Sequence, residues 1–288
     1  MNRKGSLLLV PSGGLGNRMR TIASAYAMAQ RIDSRLQVVW FQDWALSAPF
    51  HALFEPSSLL SLREATLADK LLYDRARRKN LWLPALPQWL LFERRLHEDE
   101  IWPLMVGKFD FAHWARQRRC YMSNYMDFYP YDSQLLKQLF VPVADVSRQV
   151  AAWLCELGCG RVIGIHIRRT DHVISTEKSP TSLFIDKIRQ EVAAQPDTKV
   201  FLATDSEDVK AELKDIFGHR IVTSAAEARR DGIEGIKAGL ADMYTLASTS
   251  KIYGSFGSTF SKMAARIGGI ELWFLENGQE TLYSENYL

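Results

Sequence analysis

Two adjacent arginines follow an apolar stretch in the second half of the sequence. Residues 162–167, with the sequence VIGIHI, run directly into Arg168 and Arg169, and Asp171 stands two positions further on. A guanidinium group offers a planar fork of donors that suits phosphate oxygens, and it stays charged at any working pH. Burying His166 and two arginines at the end of a central strand is costly unless an anion binds beside them. The pattern predicts a phosphate-binding site, and a structural cluster of Arg and Asp is the alternative.

Two other apolar stretches also end in small polar residues. Residues 199–203 run into Asp205, which is flanked by a threonine and a serine. Residues 251–254 run into small residues at the predicted start of a helix, where the candidate ligand contacts are Ser255, Gly257, Ser258 and Thr259. Hydroxyl groups and free N–H groups at a helix N-terminus can hold an anion. For Ser258 alone, a plain N-cap is the alternative.

A glycine-rich turn follows the first apolar stretch of the chain. Residues 7–10 are apolar, and the sequence SGGLGNR occupies residues 12–18. Glycines allow a backbone to approach a ligand closely, and the N-terminus of the following helix offers free N–H groups. The candidate ligand contacts in this turn are Gly14, Gly16, Asn17 and Arg18. A tight turn without a ligand is the alternative, because Met19 stands where the dinucleotide-binding fingerprint has its third glycine.

The spacing of apolar and polar residues predicts the elements that carry these motifs. The second half predicts strands at residues 162–167, 199–203, 220–223, 251–255 and 270–274. Between them it predicts helices at residues 147–157, 181–194, 207–217, 235–248 and 258–267. The first half predicts strands at residues 7–10, 36–41 and 119–123. Continuous apolar strands between helices are typical of a parallel sheet covered on both faces.

We therefore expect an α/β fold with two doubly wound domains. One domain is predicted for residues 1–145 and the other for residues 146–288, with residues 141–145 as the connector. Ligands of such sheets bind outside the carboxyl ends of the strands. The arginine pair, Asp205, the serine-rich string and the glycine turn all stand at predicted carboxyl ends, so we expect ligands to bind there.

The region between residues 45 and 115 has a less regular pattern and predicts short helices and loops. Six tryptophans lie in or near it: Trp40, Trp44, Trp82, Trp89, Trp102 and Trp114. Large aromatic residues at this density predict core positions, and stacking on sugar rings is the alternative. The region also holds a basic cluster of Arg75, Arg77, Arg78 and Lys79. This cluster predicts a solvated charged helix, and contact with an anionic membrane surface is the alternative.

The overall composition favours an ordinary globular protein. The chain has 288 residues, 47% of them hydrophobic, and a formal net charge of +3, which is too small to indicate nucleic-acid binding. Its three cysteines are too few for a disulfide framework and predict a reducing compartment. Residues 7–10 are too short for a signal-peptide core, and no apolar run reaches the ~20 residues of a membrane span. We expect a cytoplasmic protein.

Three motifs, in their order along the chain, resemble those of the α1,6-fucosyltransferases and of the wider superfamily of α1,2- and protein O-fucosyltransferases. They are HIRRTD at residues 166–171, FLATD at residues 201–205, and Asp242 followed by SFGST at residues 255–259. The glycine turn at residues 13–17 looks like an N-terminal loop of the same superfamily. The middle of the first half shows no such likeness.

The resemblance implies a GT-B glycosyltransferase, in which two Rossmann-like domains face a cleft. The N-terminal domain would be the acceptor side, and the C-terminal domain would bind the nucleotide sugar. The implied reaction is an inverting, metal-independent transfer of fucose from GDP-fucose to a hydroxyl group of a glycan, with a bacterial oligosaccharide or polysaccharide as the acceptor. No cofactor is implied. The sequence also lacks an Asp-x-Asp metal motif, and Arg168 supplies fixed positive charge in its place.

The resemblance also implies roles for individual residues that touch the donor. Arg168 and Ser258 would hold the diphosphate, while His166 and Asp242 would contact the guanosine. Asp205 would help to order the motif.

On the same grounds, Arg169 would support the site beside Arg168, and either Asp171 or Glu177 would take the proton of the acceptor hydroxyl. Glu177 stands one residue further along the chain than the family pattern places its glutamate. His172 stands where animal members have a lysine.

Three other functions remain as alternatives at this stage. A transferase could use another nucleotide sugar with the same diphosphate site. A nucleotide-sugar-binding protein could carry the same motifs without turnover. A nicotinamide-dependent oxidoreductase is disfavoured, because the glycine fingerprint is incomplete and two arginines end the predicted central strand.

Overall fold

The computed structural model describes residues 4–169, 173–225 and 232–284, apart from the side chains of residues 173–175. The chain divides into two compact units, the first of which ends at Val141 and the second of which begins at Pro142. Each unit is an α/β structure built on one sheet. Within these ranges, no helix combines the length and the hydropathy that crossing a membrane requires.

The first unit is built on a parallel sheet. Its strands in the described ranges are β1 (Ser6–Pro11), β2 (Arg35–Trp40), β3 (Leu62–Glu64), β4 (Arg94–Leu96) and β5 (Arg119–Asn124). They pair in the order β3-β2-β1-β5-β4, all in parallel. The accompanying helices are α1 (Leu15–Arg31), α2 (Leu67–Leu72), α3 (Ala85–Leu91), α4 (Glu98–Val106), α5 (Phe111–Ala115) and α6 (Ser133–Leu139). The strand order reverses between β1 and β5, which are neighbours in space although they are far apart in sequence.

Burial explains why β1 is the central strand of this sheet. Its residues from Leu7 to Val10 are all buried, so both faces of the strand are covered. The strands predicted at residues 7–10, 36–41 and 119–123 are confirmed within one residue at each end. The sequence did not predict β3 and β4, which are three-residue strands within the irregular region between residues 45 and 115.

The second unit is built on a larger sheet with one antiparallel edge. Its strands in the part of the chain that the structure describes are β6 (Val162–Ile167), β7 (Lys199–Thr204), β8 (Ile221–Thr223), β9 (Ile252–Ser255), β10 (Leu272–Glu276) and β11 (Gln279–Leu282). They pair in the order β11-β10-β9-β6-β7-β8. Only β11 among them is antiparallel to its neighbour, and the sequence did not predict it. The strand order reverses between β6 and β9.

The helices of the second unit agree with the predicted ranges within three residues at each end, except at residues 173–178, where the sequence did not predict a helix. They are α7 (Ala144–Leu157), α8 (Val173–Lys178), α9 (Thr181–Ala194), α10 (Glu207–Phe217), α11 (Ile233–Leu246) and α12 (Thr259–Gly268). The prediction of a connector at residues 141–145 is wrong at its end, because α7 already begins at Ala144. Asp145 stabilises this first turn, since its carboxylate accepts the Val146 N–H and the ammonium of Lys237 on α11.

Alternation along β6 separates a structural face from a polar one. Ile163, Ile165 and Ile167 are fully buried in the core that includes Phe184 and Ile188 of α9. Successive side chains of a strand point to opposite faces, so His166 lies on the other face of the sheet. The same strand therefore anchors the sheet on one side and supplies a polar group on the other.

The ends of α11 and α12 pack closely because Gly268 has no side chain. A Cβ atom at this position would lie 2.2 Å from the carbonyl oxygen of Ala247, just after α11 ends. A backbone atom cannot move aside as a side chain can. Gly239, inside α11, has no atom within 4 Å of an added Cβ and is the natural comparison.

We expect Gly268→Ala to destabilise the protein by about 1–3 kcal/mol, because the added methyl group overpacks this contact. Gly239→Ala should be neutral or stabilising by up to about 1 kcal/mol, because alanine is the better helix former. Urea unfolding followed by circular dichroism measures both. Equal stability of the two variants would contradict this account of the packing.

Candidate functional site

The site in the second unit forms where the strand order reverses. Open α/β sheets bind ligands at this point, outside the carboxyl ends of the strands. Here β6 and β9 are neighbours, and Arg168 follows β6 directly. The backbone N–H of Arg168 donates to Ser255 Oγ at 3.1 Å, which joins the carboxyl ends of the two strands. The side chain of Arg168 is half-buried at this edge.

Arg169 is bound to the chain on several sides. Its backbone N–H donates to Asp205 Oδ1 at 2.7 Å, which links the ends of β6 and β7. Its guanidinium donates to Thr181 Oγ1 at 3.0 Å and to the Arg168 carbonyl at 2.9 Å. Burial lowers the pKa of Arg169 from its ordinary value, and Asp205 opposes that shift. Arg169 and Asp205 therefore hold the backbone that presents Arg168.

His166 is a buried, neutral imidazole. Its Nδ1 lies 2.7 Å from Ser261 Oγ and 3.2 Å from Ser258 Oγ, and its ring stacks on Phe260 at 4.8 Å between centroids. Desolvation lowers the pKa of His166 to about 4, and the charge of Arg168 acts in the same direction. The ring is therefore uncharged at neutral pH, and it connects β6 to the first turn of α12.

A glycine on β9 allows α12 to approach the sheet closely. Gly254 pairs with His166 in the sheet register. A Cβ atom on Gly254 would lie 2.6 Å from Ser261 Oγ and 3.0 Å from Ser261 Cβ, so a larger residue would displace the Ser261 side chain from its present position. The hydroxyl groups that contact His166 depend on this approach.

The turn before α12 contains a left-handed backbone conformation, which glycine adopts more easily than other residues. Gly257 is exposed and has φ +69°, and no atom lies within 4 Å of an added Cβ. Ser258 then caps the helix by accepting the Ser261 N–H at 3.3 Å, and the half-buried Thr259 is the first helical residue. Ser258 is thus an N-cap, which was the alternative reading from the sequence, and its Oγ also contacts His166. The first-turn N–H groups add the positive end of the helix dipole.

Asp242 is a buried acid on α11. It is 4% exposed, and its Oδ1 has no hydrogen-bond partner among the described residues. Desolvation raises the pKa of Asp242 to about 7, and the charge of Lys210 opposes that shift. Lys210 is itself buried and donates to Glu207 Oε1 at 2.6 Å. An unpartnered carboxyl oxygen in a protein interior is destabilising by itself and suits a ligand that brings a donor.

The glycine turn of the first unit stands at the corresponding reversal of strand order, between β1 and β5. Gly13 has φ +77°, and an added Cβ would lie 2.9 Å from Asn17 Nδ2. Gly14 caps α1 in an extended conformation, and Gly16 is the second residue of that helix. Asn17 is half-buried, and its Oδ1 has no hydrogen-bond partner in the described part of the chain.

Arg18 is fully buried and organises the turn. Its Nε donates to the Gly13 carbonyl at 2.8 Å, and its terminal nitrogens donate to the Phe41 carbonyl and to Asp43 Oδ1. Burial lowers its pKa to about 10, so it remains charged at neutral pH. Arg75 donates to the other oxygen of Asp43 at 2.6 Å. The guanidinium of Arg18 thus contacts the chain itself, and its role as a ligand contact stays a prediction.

The basic cluster of the first unit differs from the solvated helix that the sequence predicts. Arg75 is largely buried and pairs with Asp43, Asp74 and Glu98. Arg77 pairs with Asp74. Both arginines lie between α2 and a short 3-10 turn rather than in an α-helix. Within the cluster, only Arg78 and Lys79 are exposed.

Of the two candidate bases, the structure describes only Glu177. Asp171 lies outside the described residues. Glu177 is exposed near the end of α8. Across the described residues, no three His, Cys, Asp or Glu side chains come together as a metal-ligand set.

The predicted residues therefore form two groups, one in each unit. In the second unit, the strand ends bring together Arg168, Arg169, His166, Asp205, Ser255, Ser258 and Thr259. The sequence did not predict the site contacts of Thr181, Phe260 and Ser261 in this unit. Ser261 carries a usable signal, because it stands one turn after Ser258 on the same helix. In the first unit, the sequence did not predict the ion pairs of Asp43 and Glu98, because neither residue belongs to a motif.

Comparisons with known proteins identify the fold. Neither a model of a known protein family nor a curated protein sequence matches the chain. Among solved structures, NodZ alpha-1,6-fucosyltransferase co-crystallised with GDP is 19% identical over 98% of both chains, with a TM-score of 0.68. A mutant of Arabidopsis thaliana FUT1 in complex with GDP is 18% identical over 94% of this chain and 70% of that one, with a TM-score of 0.62. POFUT1 in complex with GDP-fucose is 12% identical over 94% of this chain and 98% of that one, with a TM-score of 0.56.

At these identities the likeness establishes the fold. The expected α/β class, with doubly wound parallel sheets of the GT-B fucosyltransferase type, is confirmed. The resemblance drawn from the motifs is likewise confirmed at the level of the fold. The roles of individual residues remain predictions.

The buried carboxyl group of Asp242 makes stability depend on pH. Its pKa is raised to about 7 in the folded protein from an ordinary value of 3.8, so the folded state holds the proton more tightly. This contribution to stability is present below about pH 4 and is lost as the pH rises to about 7.

Asp242→Asn replaces the carboxyl group with an amide that does not ionise. We expect the unfolding free energy of the variant, relative to the parent protein, to rise between pH 4.5 and pH 7.5 by up to about 1.4 kcal/mol for each pKa unit of the shift. Urea unfolding at the two pH values measures the difference. A difference that does not change with pH would contradict the raised pKa.

Proposed function

We propose that the chain is an inverting, metal-independent fucosyltransferase that transfers fucose from GDP-fucose to a hydroxyl group of a glycan. One observation carries the proposal: the backbone of Arg168, which directly follows the central strand β6, is hydrogen-bonded to Ser255 of β9, and β9 leads into the N-terminus of α12. Supporting it, the chain has the fold of fucosyltransferases solved with GDP and GDP-fucose. We propose that the second unit binds the donor and that the first unit forms the acceptor side.

The diphosphate of the donor binds to Arg168 and to the N-terminus of α12. The Arg168 backbone is fixed by Ser255, and the α12 turn is fixed by the Ser258 cap and by Gly257. A guanidinium group and helix-end N–H groups both stabilise phosphate oxygens. Because their charge is built into the protein, a divalent cation is not needed to neutralise the diphosphate.

The guanine base binds near His166 and Asp242. The edge of guanine presents two adjacent kinds of donor, a ring N–H and an exocyclic amine. The unpartnered Oδ1 of Asp242 is an acceptor that such donors can satisfy. The neutral His166 supplies an uncharged ring that is fixed by two hydroxyl groups. The match between acceptor and donors favours guanine over uracil, which offers one ring N–H on that edge.

The reaction is a single displacement at the anomeric carbon. The acceptor oxygen forms a bond to that carbon while the bond to the phosphate oxygen breaks, so the configuration inverts. The electron pair of the broken bond stays on the phosphate, and GDP leaves with one more negative charge. Arg168 and the α12 N-terminus bind that charge more strongly in the transition state than in the ground state. Asp171 or Glu177 takes the proton of the acceptor hydroxyl.

The acceptor side belongs to the first unit. Its glycine turn presents Gly14, Gly16 and Asn17 at the reversal of strand order, and the Asn17 Oδ1 is an unpartnered acceptor that a sugar hydroxyl can satisfy. We propose a bacterial oligosaccharide or polysaccharide as the acceptor. Arg18 supports this turn from within through its bonds to Gly13 and Asp43.

Calorimetric titration in the presence of EDTA tests the donor. We expect GDP to bind and UDP and ADP to bind at least tenfold more weakly, because guanine alone among the three bases offers a ring N–H and an amine side by side to the Asp242 carboxyl group. Asp242→Asn should weaken GDP binding while leaving the weak UDP binding unchanged. Equal or stronger binding of UDP would overturn the choice of donor. Binding that appears only after a divalent cation is added would overturn metal independence.

Arg168→Ala should lower the rate of fucose transfer by about 10²–10³-fold or more, because it removes a preorganised charge from the leaving diphosphate. Arg168→Lys should recover little of the loss, since a point charge does not replace the planar fork. Release of GDP measures the rate with a glycan acceptor, or with water if no acceptor is found. Arg189→Ala, at an exposed arginine of α9, is the matched control and should be fully active. A folded Arg168→Ala variant with a near-normal rate would overturn the assignment.

A further inference from the structure

The first unit exposes a continuous run of large apolar side chains. They lie between the 3-10 turn at residues 78–80 and the end of α3, and they are Leu81, Trp82, Leu83, Leu86, Trp89, Leu90 and Leu91. The two tryptophans are 60% and 62% exposed. Soluble proteins seldom expose a contiguous apolar patch of this kind unless it binds something. We call residues 81–91 the α3 surface.

The α3 surface results from a helix whose polar side faces inward. Gln88 is fully buried, and its side-chain amide donates to the Asp74 carbonyl at 2.8 Å. Leu86, Trp89 and Leu90 occupy helical positions that point outward, with exposures above 60%. An ordinary surface helix shows the opposite arrangement, with apolar residues inward. Leu86, Trp89 and Leu90 therefore point outward because Gln88 occupies the inner side of the helix.

Polar bonds fix the chain that leads into the α3 surface. Asn80 donates from its side-chain amide to the Arg75 carbonyl at 2.8 Å, and its Oδ1 accepts the Arg77 N–H at the same distance. Leu81 and Trp82 then adopt left-handed backbone conformations, with φ of 52° and 58°. Bulky residues seldom adopt this region, and such strain concentrates where a segment has a function.

Exposed positive charge borders the α3 surface. Residues 70–92 contain five basic residues and one acidic residue, and the thirteen residues from 80 to 92 carry no charge. The acidic residue, Asp74, is paired with Arg77 and Arg75. Lys70, Arg78 and Lys79 are exposed and make no ion pair with any described residue. The border is therefore cationic next to an uncharged apolar centre.

We propose that the α3 surface docks on a lipid bilayer that contains anionic headgroups. Leucines and tryptophans insert at the boundary between headgroups and acyl chains, where aromatic rings are favoured. Lys70, Arg78 and Lys79 bind the headgroups, whose negative surface potential attracts each of them. A helix of seven residues is only about 10 Å long and lies in the interface plane. The proposal concerns a surface of the first unit and does not rest on the proposed function.

A second copy of the chain is a poorer occupant than a bilayer. A twofold dimer places the same patch against itself. Residues 80–92 of the second copy carry no acidic side chain that could pair with the cations of the border. Anionic headgroups offer the opposite charge and an apolar layer beneath it, which match both parts of the surface.

Sedimentation with lipid vesicles tests the proposal on the full chain. The probes are vesicles of phosphatidylcholine alone and vesicles of phosphatidylcholine with phosphatidylglycerol at 3:1, each at low and high salt. We expect the protein to sediment with the anionic vesicles at low salt and at least tenfold less with the neutral ones. High salt should weaken the binding, because it screens the headgroup charge.

Two sets of variants separate the apolar and the charged contributions. Trp82→Ser with Leu86→Ser and Trp89→Ser should lower vesicle binding at least tenfold. Arg78→Glu with Lys79→Glu should lower it by a similar factor at low salt only. The matched controls lie in the second unit: Ile216→Ser with Leu282→Ser for exposed apolar residues, and Arg148→Glu with Lys214→Glu for exposed cations. Circular dichroism verifies that each variant is folded.

Three outcomes would overturn the proposal. The first is that the parent protein does not sediment with anionic vesicles. The second is that it sediments but the α3-surface variants bind as well as the controls do. The third is a dimer in light scattering that the apolar α3-surface variant abolishes while vesicle binding is absent, which would identify a second copy as the occupant.

Discussion

The second unit depends on keeping polar groups at the end of a buried central strand. His166 and the arginine pair follow residues that are covered on both faces, where unpaired polar groups are destabilising. The surrounding elements supply partners: Ser255 from β9, Asp205 from β7, and Ser258 and Ser261 from α12. These contacts also position the Arg168 backbone. The arrangement that makes the strand end stable is therefore the same one that prepares it for an anion.

The two units differ in how their buried charged groups are paired. In the first unit, Arg18 and Arg75 share the carboxylate of Asp43, so positive and negative charges alternate within the chain. In the second unit, Asp242 has a buried oxygen without a described partner. The arginines beside the glycine turn are thus neutralised within the chain, where Asn17 Oδ1 is an unpartnered neutral acceptor, while the second unit has an unpartnered oxygen on a buried carboxyl group. This contrast agrees with our proposal that the second unit binds the donor nucleotide.

The tryptophan-rich region shows how the α3 surface departs from the usual pattern. The sequence predicted that these aromatic residues are core residues, and this is correct for Trp40 and Trp114 but wrong for Trp44, Trp82, Trp89 and Trp102, which are exposed. Composition cannot decide this, because an inverted helix and an ordinary helix have the same residues. On α3, the exposure of Trp89 follows from Gln88, which fills the inner position through its hydrogen bond to the Asp74 carbonyl.

The main elements and the strand-end motifs could be predicted from the sequence. The ranges of β6, α9 and α10 match their predictions, because long segments carry a clear period of apolar residues. Arg168, Asp205 and Ser258 were identified as strand-end residues for the same reason. The sequence did not predict the contacts of His166 with Phe260 and Ser261, the pairing of Asp43 with two arginines, or the short strands β3, β4 and β11, all of which depend on the folded structure. Local periodicity reports which face of a segment is covered, whereas the partner of a polar group is chosen by packing between segments that are far apart in sequence.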